Sequence, residues 1–357
     1  MSILLVYFTY IFVVISLINH LWIRIPNNAQ AISQSVAVLV PMRNEALNVA
    51  GIVESLSQQI GVPHLSFIII NDASTDSTGE LLQSHTQSDS RFSILTLAGP
   101  EDGWLGKVSA LEKGFLTTGA DIVIALDADV RLEADAIAKA VNQLNDLHLD
   151  FISPYPKQIA KTLAEKMIQP ILHWSWMTTV ILRLAEKFPM RSTAVANGQF
   201  FVVRREALVA IDGFSTVRTS ILDDIDLARS LITGGFRGVV TQGSSIAQTR
   251  MYSGFDEIRQ GYGKSLSHAF GGKVGTVIAL SFLFLTGILP LLLALTGDIS
   301  GWIALFFMTI TRLISAIRSR SNALLTLLHP ISTALLIYLI FYSYRHRGTI
   351  QWKGRLV

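Results

Sequence analysis

Cysteine is absent from the chain. Disulfides, thiolate catalysis and cysteine-ligated zinc are excluded with it. Charge is also scarce. Asp, Glu, Lys and Arg make up 15% of the 357 residues, and the mean hydropathy is +0.45, both unusual for a water-soluble protein of this length. The eight histidines are scattered, and no two stand at the i, i+4 spacing that places a metal-binding pair on one helix face. A strong excess of one sign is missing too: 29 basic and 26 acidic residues leave +3, with a pI of about 9.1. The basic residues are dispersed, apart from Arg312, Arg318 and Arg320 and the tail Arg345-His346-Arg347 with Lys353 and Arg355. These groups flank apolar runs, where they read as membrane-side anchors, so no nucleic-acid partner is expected. No internal repeat, low-complexity tract or nucleophilic serine constellation is present.

What is abundant is apolar sequence, and it is unevenly placed. The run from Ser2 to Ile23 is nearly uncharged and long enough to cross a bilayer. Further runs cover 274–295, 299–310 and 323–342; the middle one is short, and reaches a full span near Ile317 only if Arg312 faces protein or snorkels. Ala29-Gln30-Ala31 resembles a signal-peptidase site, but Arg24 follows the first run and no basic residue precedes it, which favours a retained anchor. Arg24 and the Arg318/Arg320 loop both belong in the cytoplasm by the positive-inside rule. One span before the soluble part and three after it satisfy both, yet put the basic tail outside. Either one span is re-entrant or the tail is an exception. The expected division is an anchor over 1–24, a soluble domain over 33–254, an amphipathic interfacial helix over 255–272, a membrane region over 273–344 and a basic tail over 345–357.

Between the membrane runs, strand-like segments at 35–40, 65–70, 92–97 and 122–126 alternate with helical patterns at 48–60, 77–84, 107–116 and 134–147. Ser77 and Glu80 have capping-box spacing. The alternation predicts an α/β fold, doubly wound around a mostly parallel sheet. Two further stretches are amphipathic. Residues 163–184 mix Trp174 and Trp176 with charged side chains, and read equally well as a core helix or an interfacial one. In 255–270, Ile258, Tyr262, Leu266 and Phe270 form one stripe, which predicts a helix on the membrane surface with Arg259 and Lys264 near the headgroups.

The strand at 122–126 runs into Asp127-Ala128-Asp129. Carboxylates two residues apart on a strand point to one face, and ligands bind past the carboxyl ends of such strands. Paired hard oxygens there suit Mg2+ or Mn2+ carrying a phosphorylated substrate; a solvated turn is the alternative. Two more strand ends are polar: Pro41-Met42-Arg43-Asn44-Glu45 and Asn71-Asp72-Ala73-Ser74-Thr75-Asp76. Asp72 is placed to accept hydrogen bonds from a base or ribose, with Arg43 and Glu45 bordering the same nucleotide; for Ser74, Thr75 and Asp76 a turn or cap is the better reading.

Together with Leu222-Asp223-Asp224-Ile225-Asp226, these segments make the chain resemble the family 2 glycosyltransferases of the GT-A fold. Asp102-Gly103-Trp104-Leu105-Gly106-Lys107, Arg250-Met251-Tyr252, Gly261-Tyr262-Gly263-Lys264 and Trp352-Lys353-Gly354-Arg355 narrow the resemblance to membrane-bound lipid glycosyltransferases of the carotenoid-acid (diaponeurosporenoate) and hopanoid-associated types, with ceramide glucosyltransferases more distant. The resemblance implies a nucleotide-sugar donor, a UDP-sugar first among them, a divalent metal, a lipid acceptor, and a multi-pass enzyme of the cell (inner) membrane with its catalytic domain in the cytoplasm. It makes Asp127 and Asp129 the metal motif, with Asp129 the more direct ligand, and lets Asp72 meet the nucleotide beside Pro41, Arg43, Asn44 and Glu45. It places Lys107 and Arg250 on the diphosphate, Asp224 as catalytic base and Asp223 as a supporting acid. Asn197, Gly198 and Gln199 line the sugar and acceptor pocket in this family, although the same tripeptide also reads as a turn. Trp104 either stacks on the acceptor or is an exposed loop residue.

One departure is informative. Polymer-building members carry Gln/Arg-x-x-Arg-Trp, whereas the corresponding stretch here is Ile258-Arg259-Gln260-Gly261-Tyr262. This argues against processive synthesis. A polyprenyl-phosphate sugar synthase and a non-catalytic membrane scaffold remain as alternatives.

Overall fold

The structure, a computed structural model, describes residues 2–349, 351–352 and 355–356. Lys353 and the side chains of Trp352 and Arg355 lie outside the described residues, and with them most of the tail motif. The chain divides into two compact units: Met1–Ile23 with Gln158–Arg183 and Arg250–Val357, and Arg24–Lys157 with Leu184–Thr249.

The first unit is helical: α1 (Ser2–Trp22), then further along the chain α6 (Leu163–Thr179) and α10 (Phe255–Ala269) to α14 (His329–Arg345). Four of its helical segments are long and apolar enough to cross a membrane: Ile3–Trp22, Lys273–Leu295, Ile299–Ser319 and Leu324–Arg345. Helix α13 (Ile299–Ser319) runs straight through Arg312 to full length, because Arg312 is buried against protein. Helix α6 takes its core reading. Asn19 of α1 donates to the carbonyls of Met177 (2.9 Å) and Val180 (2.6 Å), and the Trp174 indole N–H donates to Thr311 Oγ1 of α13 at 2.9 Å. This helix, inside the expected 33–254 domain, groups with the apolar helices. The stripe of α10 is also turned inward: Ile258 and Leu266 are buried, and the Ser267 N–H donates to Ser343 of α14 at 2.8 Å.

The second unit holds a seven-stranded sheet in the order β3-β2-β1-β4-β8-β6-β9. The strands are β1 (Val36–Met42), β2 (Leu65–Asp72), β3 (Phe92–Leu97), β4 (Ile122–Leu126), β6 (Phe151–Tyr155), β8 (Phe200–Arg204) and β9 (Gly238–Gln242). Neighbours are parallel except along β8, which runs antiparallel to β4 and β6. Strand β4 is buried at every residue, so its uncharged run has no solvent face to satisfy. Helices α2 (Ala46–Ser57) and α5 (Ala136–Asp146) cover one side of the sheet, and α4 (Gly106–Leu116), α8 (Arg205–Ala210) and α9 (Asp223–Thr233) the other. Helix α3 (Thr78–Thr86) starts without the expected capping box: the Ser77 side chain makes no capping hydrogen bond, and the Thr78 N–H is taken by Asp76 Oδ1 at 3.0 Å.

Candidate active site

The carboxyl ends of β1, β2 and β4 and the amino ends of α4 and α9 supply the polar groups. After β1 the chain turns through Asn44, which sits in the left-handed region at φ 53°, a conformation asparagine tolerates. Its Oδ1 accepts from the Thr75 N–H at 2.8 Å, and its own N–H donates to Ser74 Oγ at 3.1 Å. Arg43 Nη1 donates to the carbonyls of Asp72 (2.9 Å) and Ala73 (2.8 Å). Arg43 thus fastens the turn after β2, and buried Asp72 with it. The Glu45 N–H donates to Thr78 Oγ1 at 2.8 Å. Pro41 lies inside β1, in register with Ile70.

The aspartate pair does not sit on a strand. Strand β4 ends at Leu126, and Asp127 to Val130 form a turn closed by Val130 N–H to Asp127 O at 3.1 Å. The argument from strand alternation therefore does not apply; a turn presents both acids. Arg131, which sequence reasoning passed over, underpins that turn. Its Nη1 donates to the carbonyls of Ala128 and Val130 at 2.9 Å, and its Nη2 to Asn48 Oδ1 at 3.0 Å. Burial pulls Arg131 below its ordinary value, against the opposing charges of Asp129 and Glu45. An arginine two residues after the pair was the available signal.

The antiparallel register of β8 on β4 pairs Phe200 with Leu126. The residues before β8 must then run beside those after β4, and the Asp127 N–H donates to the Gln199 carbonyl at 3.1 Å. Asn197 is locked by buried Ser153, whose hydroxyl accepts from the Asn197 N–H at 2.7 Å and donates to its carbonyl at 3.0 Å. Gly198 directs its N–H to Asp224 Oδ2 at 2.7 Å, and Asp224 Oδ1 accepts from the Ile225 N–H at 2.8 Å. Asp223 and Asp224 open α9, where the helix end favours anions.

Lys107, in the first turn of α4, closes the cluster. Its Nζ is 2.8 Å from Asp127 Oδ1 and 3.6 Å from Asp223 Oδ2, with 34% of the side chain accessible. Burial lowers the Lys107 pKa, but Asp127 and Asp223 outweigh it and hold the ammonium firmly protonated. Burial and the Asp223 charge push Asp224 up to about 6, against the pull of Lys107 and the two backbone donors.

The remaining predicted residues fall as follows. Trp104 is half-buried, packed on the core beneath α4, so it is not an exposed loop residue. Arg250 belongs to the helical unit, where its Nη2 is 3.5 Å from Glu165 Oε1.

A divalent cation fits the donor set. Among the described residues no three acids or histidines cluster as a self-sufficient metal site, but Mg2+ and Mn2+ in nucleotide enzymes are held by one or two carboxylates, with phosphate and water completing the shell. Asp127 and Asp129 meet that need. One oxygen of Asp127 is also held by Lys107.

Comparison with known proteins bears on the family and the fold. Residues 37–211 match the Glycosyl transferase family 2 profile. This region is a family 2 glycosyltransferase domain. The 4,4'-diaponeurosporenoate glycosyltransferase of Staphylococcus aureus strain USA300 is 26% identical over 339 residues, 90% of this chain and 88% of that one. The strain MRSA252 protein is 25% identical over the same shares. Among solved structures, a mannosyltransferase from Pyrobaculum calidifontis in complex with GDP-Man and Mn2+ shares the fold, with a TM-score of 0.58 over 97% of each chain at 17% identity. In this glycosyltransferase, Gly198 has a steric reason to lack a side chain. A Cβ there would stand 3.1 Å from both Asp224 Cβ and Lys107 Nζ. Gly198→Ala should displace both by a few tenths of an ångström. Against the roughly hundredfold cost of a 1 Å misplacement, we expect kcat to fall about tenfold with the fold retained, as steady-state assays beside circular dichroism would check.

Proposed function

We propose that the protein moves a hexose from a nucleotide sugar, a UDP-sugar in the first instance, to the hydroxyl or carboxylate of a lipid acceptor such as a carotenoid or hopanoid. The transfer inverts the anomeric centre. It takes place at the cytoplasmic face of the cell membrane, with 255–272 at its boundary and 273–344 within it.

One observation carries this reading. A single carboxylate, Asp224, is aimed by two backbone donors and tuned upward beside a lysine that bridges to the metal-type turn. The chemistry needs that separation of roles. As a hydroxyl acceptor's oxygen bonds to the anomeric carbon, its proton passes to Asp224; a carboxylate acceptor brings no proton, and with either the bond to the donor's diphosphate breaks with the electron pair leaving on phosphate. Lys107 supplies fixed positive charge next to the acids at that end. A divalent cation on Asp127 and Asp129 supplies further neutralisation of the leaving diphosphate. The four bilayer-length helices and the acceptor named for the Staphylococcus aureus relatives support the lipid clause.

The test uses full-length protein in detergent. Nucleoside diphosphate release should require the nucleotide sugar, a lipid acceptor and Mg2+ or Mn2+ together. Release without any lipid, at the full rate, would defeat the acceptor assignment. A scaffold would show no metal-dependent thermal shift with UDP or GDP.

A further inference from the structure

Arg312 lies within α13, seven residues before its end at Ser319 and so about 10 Å inside the helix. It is 4% exposed, which rules out snorkelling to the interface. It forms no ion pair and donates no hydrogen bond among the described residues, and its Nη1 is buried without a partner. No acid within the apolar segments is available to it as a counter-ion. Segments 2–22, 273–295, 299–319 and 324–345 contain no Asp or Glu. Glu165, the one acid of α6, is already engaged by the N–H groups of Lys161 (2.6 Å) and Gly254 (2.8 Å), by the Thr162 hydroxyl (2.9 Å) and by Arg250.

The surroundings of Arg312 are polar and unsatisfied as well. Its guanidinium lies 5.8 Å from the ring centre of Trp174, and His329 meets the same indole edge-on at 5.0 Å. Both amide atoms of Gln169, on α6 with Trp174, are buried without partners, and buried His329 meets the Thr286 backbone but hydrogen-bonds to no polar side chain among the described residues. A cation left alone in a low-dielectric interior is strongly destabilising, and an ionisable side chain inside a membrane segment marks a binding site with a definite partner. Trp174 places an aromatic wall beside the charge.

We propose that Arg312 anchors an intramembrane site for the acidic head of a lipid, a carboxylate or phosphate, with His329 and Gln169 as further hydrogen-bonding groups and Trp174 as the wall. The guanidinium fork matches either anion in a bidentate manner. The inference concerns binding within the helical unit and does not depend on the transfer reaction.

Purified full-length protein in a neutral detergent provides the test, with wild type compared to Arg312→Gln and Arg312→Lys by thermal unfolding. The additives are oleate, phosphatidylglycerol, phosphatidylcholine or inorganic phosphate. Without additive, Arg312→Gln should melt at or above wild type, since it removes an uncompensated charge. Oleate and phosphatidylglycerol should raise the midpoint of wild type and Arg312→Lys by several degrees, leave Arg312→Gln unmoved and so reverse the order, while phosphatidylcholine shifts none. Inorganic phosphate acting as strongly as the lipids would overturn the lipid assignment in favour of a free anion. Equal stabilisation of wild type and Arg312→Gln by anionic lipid would overturn the site, as would Arg312→Gln melting below wild type by the same margin in every condition. Native mass spectrometry of wild type alone covers failure of the variants to fold: retained anionic lipid supports the site, and its absence overturns it.

Discussion

Replacing Asp224 by asparagine is expected to lower kcat by about 10²- to 10⁴-fold with a hydroxyl acceptor, the usual range for a positioned general base. Donor binding, read as a thermal shift with UDP and Mn2+, should change little. The sign of the pH dependence follows from the base being active when ionised. Asp224 is pushed up to about 6, so kcat/KM of the wild type should rise with pH through that value, and this limb should vanish in the variant. A carboxylate raised in the folded state adds stability below its unfolded value and loses it as pH rises through about 6. The thermal midpoint of Asp224→Asn at pH 8 should therefore hold or rise, which separates lost chemistry from lost fold. The same variant distinguishes acceptors. A carboxylate or polyprenyl phosphate arrives already deprotonated, and with such an acceptor Asp224→Asn should keep most of its activity. Retained activity on a hydroxyl acceptor would remove Asp224 from the base role.

Lys107→Met should produce the second large effect. The ammonium stands between Asp127 and Asp223 and lowers Asp224. Its removal leaves neighbouring carboxylates repelling one another and the donor diphosphate. Loss of one pre-organised electrostatic contact of this kind costs about 10²- to 10³-fold in kcat, and we expect a loss of that order together with a higher KM for the nucleotide sugar. Asp224 should rise further above its already elevated value, so the ascending limb of the pH profile should move to higher pH. An unmoved limb alongside weakened donor binding would show that Lys107 serves the diphosphate without tuning the base.

The fold was legible where burial and periodicity agree. Strand β4 and helix α4 were expected within a residue of their observed bounds, because a fully buried parallel strand and a half-buried helix have distinct apolar patterns. Residues 163–184 were ambiguous because Trp174 and His173 satisfy their polar atoms on partners far along the chain, Thr311 and Ser315, which no local window contains. The site was legible as residue types at strand ends, and Lys107, Asp127, Asp223, Asp224 and Gly198 do converge. What local reasoning missed was the geometry that brings them together: a turn in place of a strand end at Asp127, an antiparallel register that delivers Gly198, and a buried arginine beneath the turn.

The attachment of α6 to the helical unit has a consequence for biosynthesis. Trp174 waits for a partner 137 residues downstream. At about 5–20 residues per second, that interval is roughly 7–27 s of elongation. Throughout it, a nascent helix with an apolar face stands ready before the helix that will receive it exists. Early shelter against α1, whose Asn19 already reaches the end of α6, would cover part of that face, and a polypeptide cut off after residue 249 would leave the side that receives α13 bare for good.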